Sequence, residues 1–215
     1  MQVVDHHTAL SSAIRRLSAD ANPACLLDCQ GAFLFVNQSW DHFAEQNGGA
    51  PGALGSALIG TPWTDHLDGE QIRRHHGLLF ERAMRSDGSR RSLVVQVSEA
   101  NGPDQARLVA TRFEPVIVRG WGERLGIAVI HATVRVRPIA EVYSVVEAEE
   151  EPYRDADGRV TQCSCCRRTL EPDSERWDFV PSLVLRPPSR VRWSLCDLCL
   201  ELHYPELRPA ETEAA

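Results

Sequence analysis

Two cysteine pairs with the spacing C-x-x-C lie in the last quarter of the chain and restrict its fold more than any other feature. The pairs are Cys163 with Cys166 and Cys196 with Cys199, and 29 residues separate them. Each C-x-x-C lets two thiolates point at one ion from a tight turn, and two such turns complete the tetrahedral four-sulfur set that Zn²⁺ prefers. Because four protein ligands leave no position open for water or substrate, the pattern predicts a structural zinc site.

Other uses of these cysteines depend on the redox compartment. Disulfides are expected in secreted proteins, but residues 1–17 contain two histidines, two arginines, no apolar core and no small-residue cleavage signature. We therefore expect a reducing, cytoplasmic location. A thioredoxin-type motif needs one C-x-x-C at a strand-to-helix junction rather than two matched pairs. An iron–sulfur cluster and reversible disulfides stay open as alternatives to zinc.

Three further cysteines need separate interpretation. Cys165 is directly beside Cys166 and could replace it as a ligand or be a spare thiol. We favour the pairing of Cys163 with Cys166, because it reproduces the spacing of the downstream pair. Cys25 and Cys29 flank a predicted strand and turn, so we expect a buried thiol and a turn residue, with a redox pair as the alternative.

Composition limits what the rest of the chain can do. With 215 residues, the chain is long enough for one ordinary core with a small module, or for two small domains. No run approaches the roughly 18 consecutive apolar residues of a transmembrane helix. The formal net charge is −7, and four metal-bound thiolates would add about −2 more. This balance disfavours a protein that binds phosphate backbones.

The apolar pattern predicts two strands, then helices, then three strands. Turn residues at 28–31 indicate a tight hairpin between the first two strands, and Asn37 is placed to cap a helix that should end at Asn47. Residues 50–60 are glycine-rich and predict a loop. The remaining predicted elements are a helix over 8–19, strands over 24–27 and 33–36, a helix over 67–84, and strands over 92–97, 107–118 and 125–136.

Two segments in this order resemble the PAS domain family. They are DCQGAFLFVNQSWDHFAEQNG at 28–48 and FEPVIVRGWGERLGIAVIHATVR at 113–135, within a resembling stretch of 15–138. In the first, Val36 and Asn37 followed by Trp40 match the second strand and first helix of the family. The resemblance implies an α+β fold, with a five-stranded antiparallel sheet and helices on one face. It also implies a sensing or dimerising function, with a ligand pocket between helices and sheet.

The cysteine pairs carry a second resemblance. The strings CSCCRRTLEPDSERWDFVPSLV at 163–184 and SLCDLCLELHYPEL at 194–207 are similar to a zinc-ribbon-like module at the C-terminal end of bacterial PAS and response-regulator proteins. That family often has a histidine three residues before the second pair, where this chain has Trp193. The resemblance therefore leaves the four cysteines as the complete ligand set, with Trp177 and Trp193 as apolar cover for a small core.

We therefore predict five segments. They are an N-terminal amphipathic helix (1–22), a PAS-like sensor domain (23–138), an acidic linker or coupling segment (139–160), a four-cysteine module (161–208) and a disordered tail (209–215). A short helix over 141–148 is an alternative within the linker. The N-terminal helix has an apolar stripe that the domain core need not use, which predicts a homodimer through the PAS-like half. The stripe consists of Leu10, Ala13, Ile14 and Leu17.

The predicted helix over 67–84 contains two adjacent histidines. His75 and His76 lie between Ile72 and Leu79, so at least one should border the core. Oxygen-sensing haem PAS domains use a histidine at about this point as axial iron ligand, so the resemblance implies haem at His75 or His76 as one interpretation. The ligand-stabilising arginine of those domains has no match here, and the glycine-x-asparagine-cysteine signature of flavin-binding PAS domains is absent. An empty pocket or a colourless metabolite stays open.

Together these features predict a non-enzymatic bacterial signalling or regulatory protein with a structural zinc module for a protein partner. One alternative is a nucleic-acid-binding regulator, but residues 159–208 contain eight arginines against seven acidic residues, so there is no basic footprint. A haem-based gas or redox sensor is another. No Ser-His-Asp order, phosphate loop or open metal triad indicates an enzyme. The arginines of the nucleic-acid alternative are Arg167, Arg168, Arg186, Arg190 and Arg192.

Overall fold

The chain forms two compact units. The computed structural model describes residues 2–86, 93–118 and 122–208, so the predicted tail 209–215, the predicted strand start at Ser92 and most of the predicted turn 119–122 lie outside the described residues. The first unit contains residues 1–67, 76–97 and 109–135, and the second contains 68–75, 98–108 and 136–215. The contiguous domain limits stay predictions. Within the described ranges, no helix has both the length and the apolar character needed to cross a membrane.

The first unit is built on a five-stranded antiparallel sheet with the strand order β2-β1-β5-β4-β3. This confirms the predicted α+β fold class. The division between the units falls within α4, β3, β4 and β5. The strands are β1 (Ala24–Leu27), β2 (Phe33–Val36), β3 (Val94–Glu99), β4 (Gln105–Ile117) and β5 (Arg124–Pro138), and the helices are α1 (Gln2–Ser18), α2 (Gln38–Gln46), α3 (Gly55–Leu58) and α4 (Glu70–Arg85), with a 3-10 turn at Trp63–His66.

Alternation along β1 gives the sheet two different apolar faces. Cys25 and Leu27 belong to a buried cluster with residues of α3 and α4, and Trp40 of α2 packs against it. Ala24 and Leu26 belong to a second buried cluster, on the opposite face, with residues of α1. Helices α2 to α4 therefore cover one face as predicted, while α1 covers part of the other.

The packing of α1 removes the basis of one sequence argument. Leu17 is fully buried against the sheet, Ala13 is buried beside it, and Leu10 and Ile14 pack against the same cluster. The expectation that this stripe is free for a second copy is wrong, because the stripe is used within the chain. Dimerisation itself stays a prediction.

Asn37 joins three elements of the first unit. Its Oδ1 accepts hydrogen bonds from the backbone N–H groups of Trp40 (2.9 Å) and Ala24 (3.0 Å), so it caps α2 as predicted and also holds β1. Its Nδ2 donates to the carbonyl oxygens of Leu17, Asp20 and Asn22 at 2.9–3.1 Å. The side chain is 1% exposed, so water does not replace these partners.

Local sequence signals account for the first hairpin but not for α3. Asp28 Oδ1 accepts hydrogen bonds from the backbone N–H groups of Gln30 (2.8 Å) and Ala32 (2.9 Å), which closes the predicted β1–β2 turn. The predicted loop over 50–60 instead contains the short helix α3. Asp41 Oδ1 accepts a hydrogen bond from the Gly55 backbone N–H at 2.7 Å, so a carboxylate of α2 stabilises the start of that helix.

The second unit contains a four-stranded sheet of its own, with the order β8-β7-β6-β9. Strand β6 lies between β7 and β9; it is antiparallel to β7 and parallel to β9. The elements are β6 (Val160–Cys163), β7 (Thr169–Glu171), β8 (Arg176–Asp178), β9 (Val191–Ser194), α5 (Pro181–Leu185) and α6 (Asp197–Leu202), with 3-10 turns at Ile139–Glu141, Glu151–Tyr153 and Pro205–Leu207.

The segment 139–160, which the sequence predicts as an acidic linker or coupling segment, packs within the second unit. Tyr143 stacks on Phe179 with ring centroids 5.6 Å apart, and the Val146 backbone N–H donates to the Phe179 carbonyl at 2.9 Å. Tyr153 is 2% exposed, and its hydroxyl donates to Asp178 Oδ2 at 2.9 Å. The physical reason is that a short module has too little apolar surface for a core of its own and gains it from this segment.

The role of Asn37 gives a stability prediction. We expect Asn37→Ala to lower the free energy of unfolding of the first unit by about 2–4 kcal/mol, because it removes a helix cap and leaves buried backbone groups without partners. Asn47→Ala, at the exposed C-terminal end of α2, is the matched control and should change it by less than about 0.5 kcal/mol. Urea unfolding followed by tryptophan fluorescence measures both. Equal effects of the two substitutions would contradict the role given to Asn37.

Candidate metal centre

The parallel pairing of β6 with β9 brings the two cysteine pairs to the same end of the sheet. Cys163 is the last residue of β6 and lies opposite Ser194, the last residue of β9. The first pair occupies the turn between β6 and β7. The second pair follows β9, where Cys196 is the N-cap residue of α6 and Cys199 lies in its first turn.

The four thiols have the separation that one metal ion requires. All four cysteines are buried, and their Sγ atoms lie within 4.8 Å of one another. The Sγ atoms of Cys166 and Cys196 are 3.6 Å apart. A tetrahedron with Zn–S bonds of about 2.3 Å has S–S edges of about 3.8 Å, so the cluster matches that size. The four cysteines are therefore positioned to hold a metal ion.

The first cysteine turn depends on a left-handed residue. Arg167 follows Cys166 with φ 67°, an unusual value for a residue with a side chain. Its N–H donates to the Cys163 carbonyl at 3.1 Å, and the Cys163 N–H donates to the Arg168 carbonyl at 2.8 Å. The Cys196 backbone N–H points at Cys163 Sγ at 3.5 Å. The backbone thus closes the turn and supplies a donor to one sulfur.

Crowding of the four sulfurs alters their acidity. The pKa of Cys163 lies well below its usual range, because the thiols of Cys166, Cys196 and Cys199 donate hydrogen bonds to its thiolate. The pKa of Cys166 is raised, because it keeps the proton that it shares with Cys163. A bound divalent cation removes this competition for protons by taking all four sulfurs as thiolates.

Arg168 lies against the sulfurs of both pairs. Its Nε is 3.3 Å from Cys166 Sγ and its Nη2 is 3.0 Å from Cys196 Sγ. The guanidinium carbon lies 5.2 Å from the centre of the Tyr143 ring. From the sequence, Arg168 was considered as a nucleic-acid contact, because spacing alone does not show which way an arginine points.

Arg167 has different surroundings from its neighbour. Its guanidinium lies 4.7 Å above the ring of Trp193 and 2.9 Å from Asp68 Oδ2. Both adjacent arginines therefore make contacts inside the second unit. This removes two of the five arginines on which the nucleic-acid alternative depends.

The sequence patterns did not point to two polar residues that lie near the metal centre, Glu99 and Asn101. Asn101 Nδ2 donates to the Cys166 carbonyl at 3.1 Å and to Glu99 Oε2 at 2.8 Å. The Glu99 carboxylate also accepts a hydrogen bond from the Tyr143 hydroxyl. These residues precede the cysteines by more than sixty positions. No local spacing could associate them with the site.

Three cysteines are not part of the four-thiol set, although the side chain of Cys165 also interacts with that of Cys199. The sulfur of Cys165 is 3.4 Å from the backbone nitrogen of Glu99 and 3.7 Å from its carbonyl oxygen. Cys25 is buried in the first unit, and burial raises the pKa of its thiol. Cys29 is exposed in the β1–β2 turn, and its Sγ is 3.3 Å from the Arg124 carbonyl. All three are free thiols.

The two histidines that the resemblance offered as haem ligands have separate surroundings. His75 Nδ1 is 2.9 Å from Glu206 Oε1, and its ring meets the Tyr204 ring edge-on, so it belongs to the second unit. His76 lies in the first unit, with ring centroids 5.7 Å from Trp63 and 6.2 Å from Phe113. The Trp63 and Phe113 rings lie where a haem bound to His76 would have to lie, so the surroundings of His76 do not fit haem. Haem binding stays a prediction without support from this geometry.

Comparisons with known proteins found similarity to solved structures, among them PAS domains. No protein-family model matches the chain, and no curated protein is significantly similar to it. The PAS domain of BvgS from Bordetella pertussis is 18% identical with a TM-score of 0.45, over 62% of this chain and 90% of that one. A phage VqmA in complex with DPO is 16% identical with a TM-score of 0.45, over 62% of this chain and 56% of that one, so the match spans just over half of its length. A PAS domain from Colwellia psychrerythraea is 13% identical with a TM-score of 0.41, over 58% and 96%.

The geometry of the four sulfurs predicts which cysteines retain metal. We expect wild-type protein purified in reducing buffer to carry one equivalent of a divalent metal. Cys196→Ser should lose it and unfold the second unit, because the remaining buried thiols lose the cation that holds them together. Cys165→Ser should keep the full equivalent, since that sulfur faces the Glu99 backbone. Elemental analysis and circular dichroism check both variants. A wild-type protein without metal, or a Cys196→Ser variant with a full equivalent, would contradict the assignment.

Proposed function

We propose that the chain is a non-enzymatic signalling or regulatory protein whose second unit is folded around a structural zinc ion and binds a protein partner. The observation that carries this proposal is the closed set of four buried cysteine sulfurs. Four thiolates fill the coordination sphere of Zn²⁺, which leaves no position for a reacting water or substrate. Zinc would supply folding energy there, and the chemistry of binding belongs to the surface of the unit.

The outer face of α6 is the surface that we propose for the partner. Leu198 and Leu202 are one helical turn apart and are 40% and 60% exposed. Asp197 and Glu201 on the same helix are exposed beside them. An apolar stripe with acidic neighbours suits a partner segment that combines apolar and basic side chains. Helix α6 begins at the second cysteine pair, so the metal would hold the stripe in place.

We propose two roles for the first unit. The edge strand β3 and the residue before it expose an apolar stripe of Leu93, Val95 and Val97, each more than 40% exposed, which fits pairing with a second copy of this chain. Inside the unit, Thr111 Oγ1 lies 3.1 Å from His131 Nδ1. Burial lowers the pKa of His131 to about 4, so the imidazole is neutral at pH 7. The second role that we propose is therefore the binding of an uncharged ligand that forms hydrogen bonds.

Neither alternative function gains support. The nucleic-acid role loses two of its five arginines, because Arg167 is engaged with Asp68 and Arg168 with cysteine sulfurs. The other three, Arg186, Arg190 and Arg192, are exposed but are balanced by acidic residues of the same segment. A haem-sensing role lacks a fitting ligand, because the imidazoles of His75 and His76 are packed against other side chains.

The partner surface is tested with a double variant. Full-length protein immobilised on beads is cross-linked in lysate of the source cells, and captured proteins are identified by mass spectrometry. We expect Leu198→Ser combined with Leu202→Ser to lose a partner that wild type captures, while the metal content is unchanged. Leu34→Ser, at a leucine of β2 that is 44% exposed, is the control and should keep that partner. Capture by the double variant at the wild-type level would refute the surface.

The two roles of the first unit are tested together by native mass spectrometry. We expect a dimer for wild type and for Leu34→Ser on the opposite edge strand, and a monomer for Val95→Ser combined with Val97→Ser. A bound ligand would add mass that disappears on denaturation. A monomeric wild type at tens of micromolar would exclude the dimer, and a native mass equal to that of the chain and its metal would exclude a retained ligand.

A further inference from the structure

The guanidinium of Arg168 connects the two halves of the metal centre. Through Nε and Nη2 it contacts one sulfur of each pair, Cys166 at 3.3 Å and Cys196 at 3.0 Å. A guanidinium presents its N–H donors in a rigid planar fork, so it can address two sulfurs at once. The other cysteine of each pair, Cys163 or Cys199, completes the set of four ligands.

The charge of the centre requires such a group. Zn²⁺ with four thiolates carries a formal charge of about −2, and the cysteines that would hold it are all buried. Buried charge is costly unless it is paired and hydrogen-bonded. Arg168 brings one positive charge to within hydrogen-bond distance of two of the sulfurs.

We infer that Arg168 is the counter-cation of the four-cysteine centre, a positioning residue that holds the two pairs together and slows the loss of the metal. This inference rests on the proposed metal centre. It gives the arginine a role in metal retention that the cysteine spacing does not indicate. Hydrogen bonds to the thiolates also reduce their reactivity toward electrophiles, because the sulfur lone pairs are engaged.

Neighbouring side chains hold the guanidinium in this position. Its carbon lies over the ring of Tyr143, 5.2 Å from the ring centre, and that ring stacks on Phe179 with an angle of 6° between the two rings. The Tyr143 hydroxyl donates to Glu99, and Asn101 links that carboxylate to the Cys166 carbonyl. A layer of three planar groups thus orients the arginine, while a hydrogen-bonded chain fixes the middle ring.

The chain provides its own control in the adjacent arginine. Arg167 lies on Trp193 and pairs with Asp68, 2.9 Å away. Replacing either arginine by methionine removes one positive charge and retains a long apolar side chain. A general effect of charge or packing near the turn should therefore appear in both variants. An effect of the counter-cation should appear only at Arg168.

The experiment measures two rates on full-length, zinc-loaded protein. One is the transfer of zinc to a chromogenic chelator, and the other is the alkylation of cysteines by iodoacetamide. We expect R168M to accelerate both by about 10–100-fold, the usual effect of removing a residue that supports metal ligands. R168K should recover part of this, because an ammonium restores the charge but not the two-pronged geometry. R167M should stay within about twofold of wild type.

Several outcomes would overturn the inference. Zinc loss from R168M at the wild-type rate would do so, as would equal acceleration in R167M. If R168M does not fold, R168K decides, since it should still release zinc several-fold faster than wild type, and an unchanged rate would refute the role. A wild-type protein without zinc would remove the proposed centre itself. Zinc-bearing wild type with an unaffected R168M would refute the role of Arg168 alone.

Discussion

The second unit depends on the parallel pairing of β6 with β9. The two cysteine pairs are separated by 29 residues, and this pairing places the turns that follow both strands at one end of the sheet. Once the turns meet, four buried sulfurs compete for protons, as the opposite pKa shifts of Cys163 and Cys166 show. Such a cluster is stable when a divalent cation neutralises the thiolates. The strand pairing and a bound metal would therefore stabilise each other.

The same constraint explains why the unit collects segments from distant parts of the chain. A short four-cysteine module has little apolar surface. Residues of 139–145 pack against Phe179, and Tyr153 packs against Val160 and Val180. Residues 68–75 contribute as well. Gly69 has φ 91°, and a Cβ at this position would come within 2.6 Å of Ser164 Oγ beside the first cysteine pair. A glycine is required there because the backbone must approach the turn closely.

What could be predicted from the sequence follows the range of each interaction. The turn that holds each cysteine pair, the hairpin turn at Asp28 and the helix cap at Asn37 were predicted, because each of these features involves only a few neighbouring residues. The apolar stripe of α1 was wrongly expected to be free, and the packing of segment 139–160 was not predicted, because an apolar stripe does not reveal which surface covers it. The contact of Arg168 with the metal-site cysteines was missed because one of the two sulfurs lies 28 positions away. Long-range contacts thus decided what local patterns left open.

Zinc X-ray absorption spectroscopy of the full-length protein tests the central claim most directly, because it measures the atoms bound to the metal. For a closed four-cysteine centre we expect a single shell of four sulfur atoms at about 2.3 Å, with no nearer scatterer. Fewer than four sulfurs, or a nitrogen or oxygen ligand at about 2.0–2.1 Å, would mean that the site is open or differently composed, and would contradict a closed structural centre.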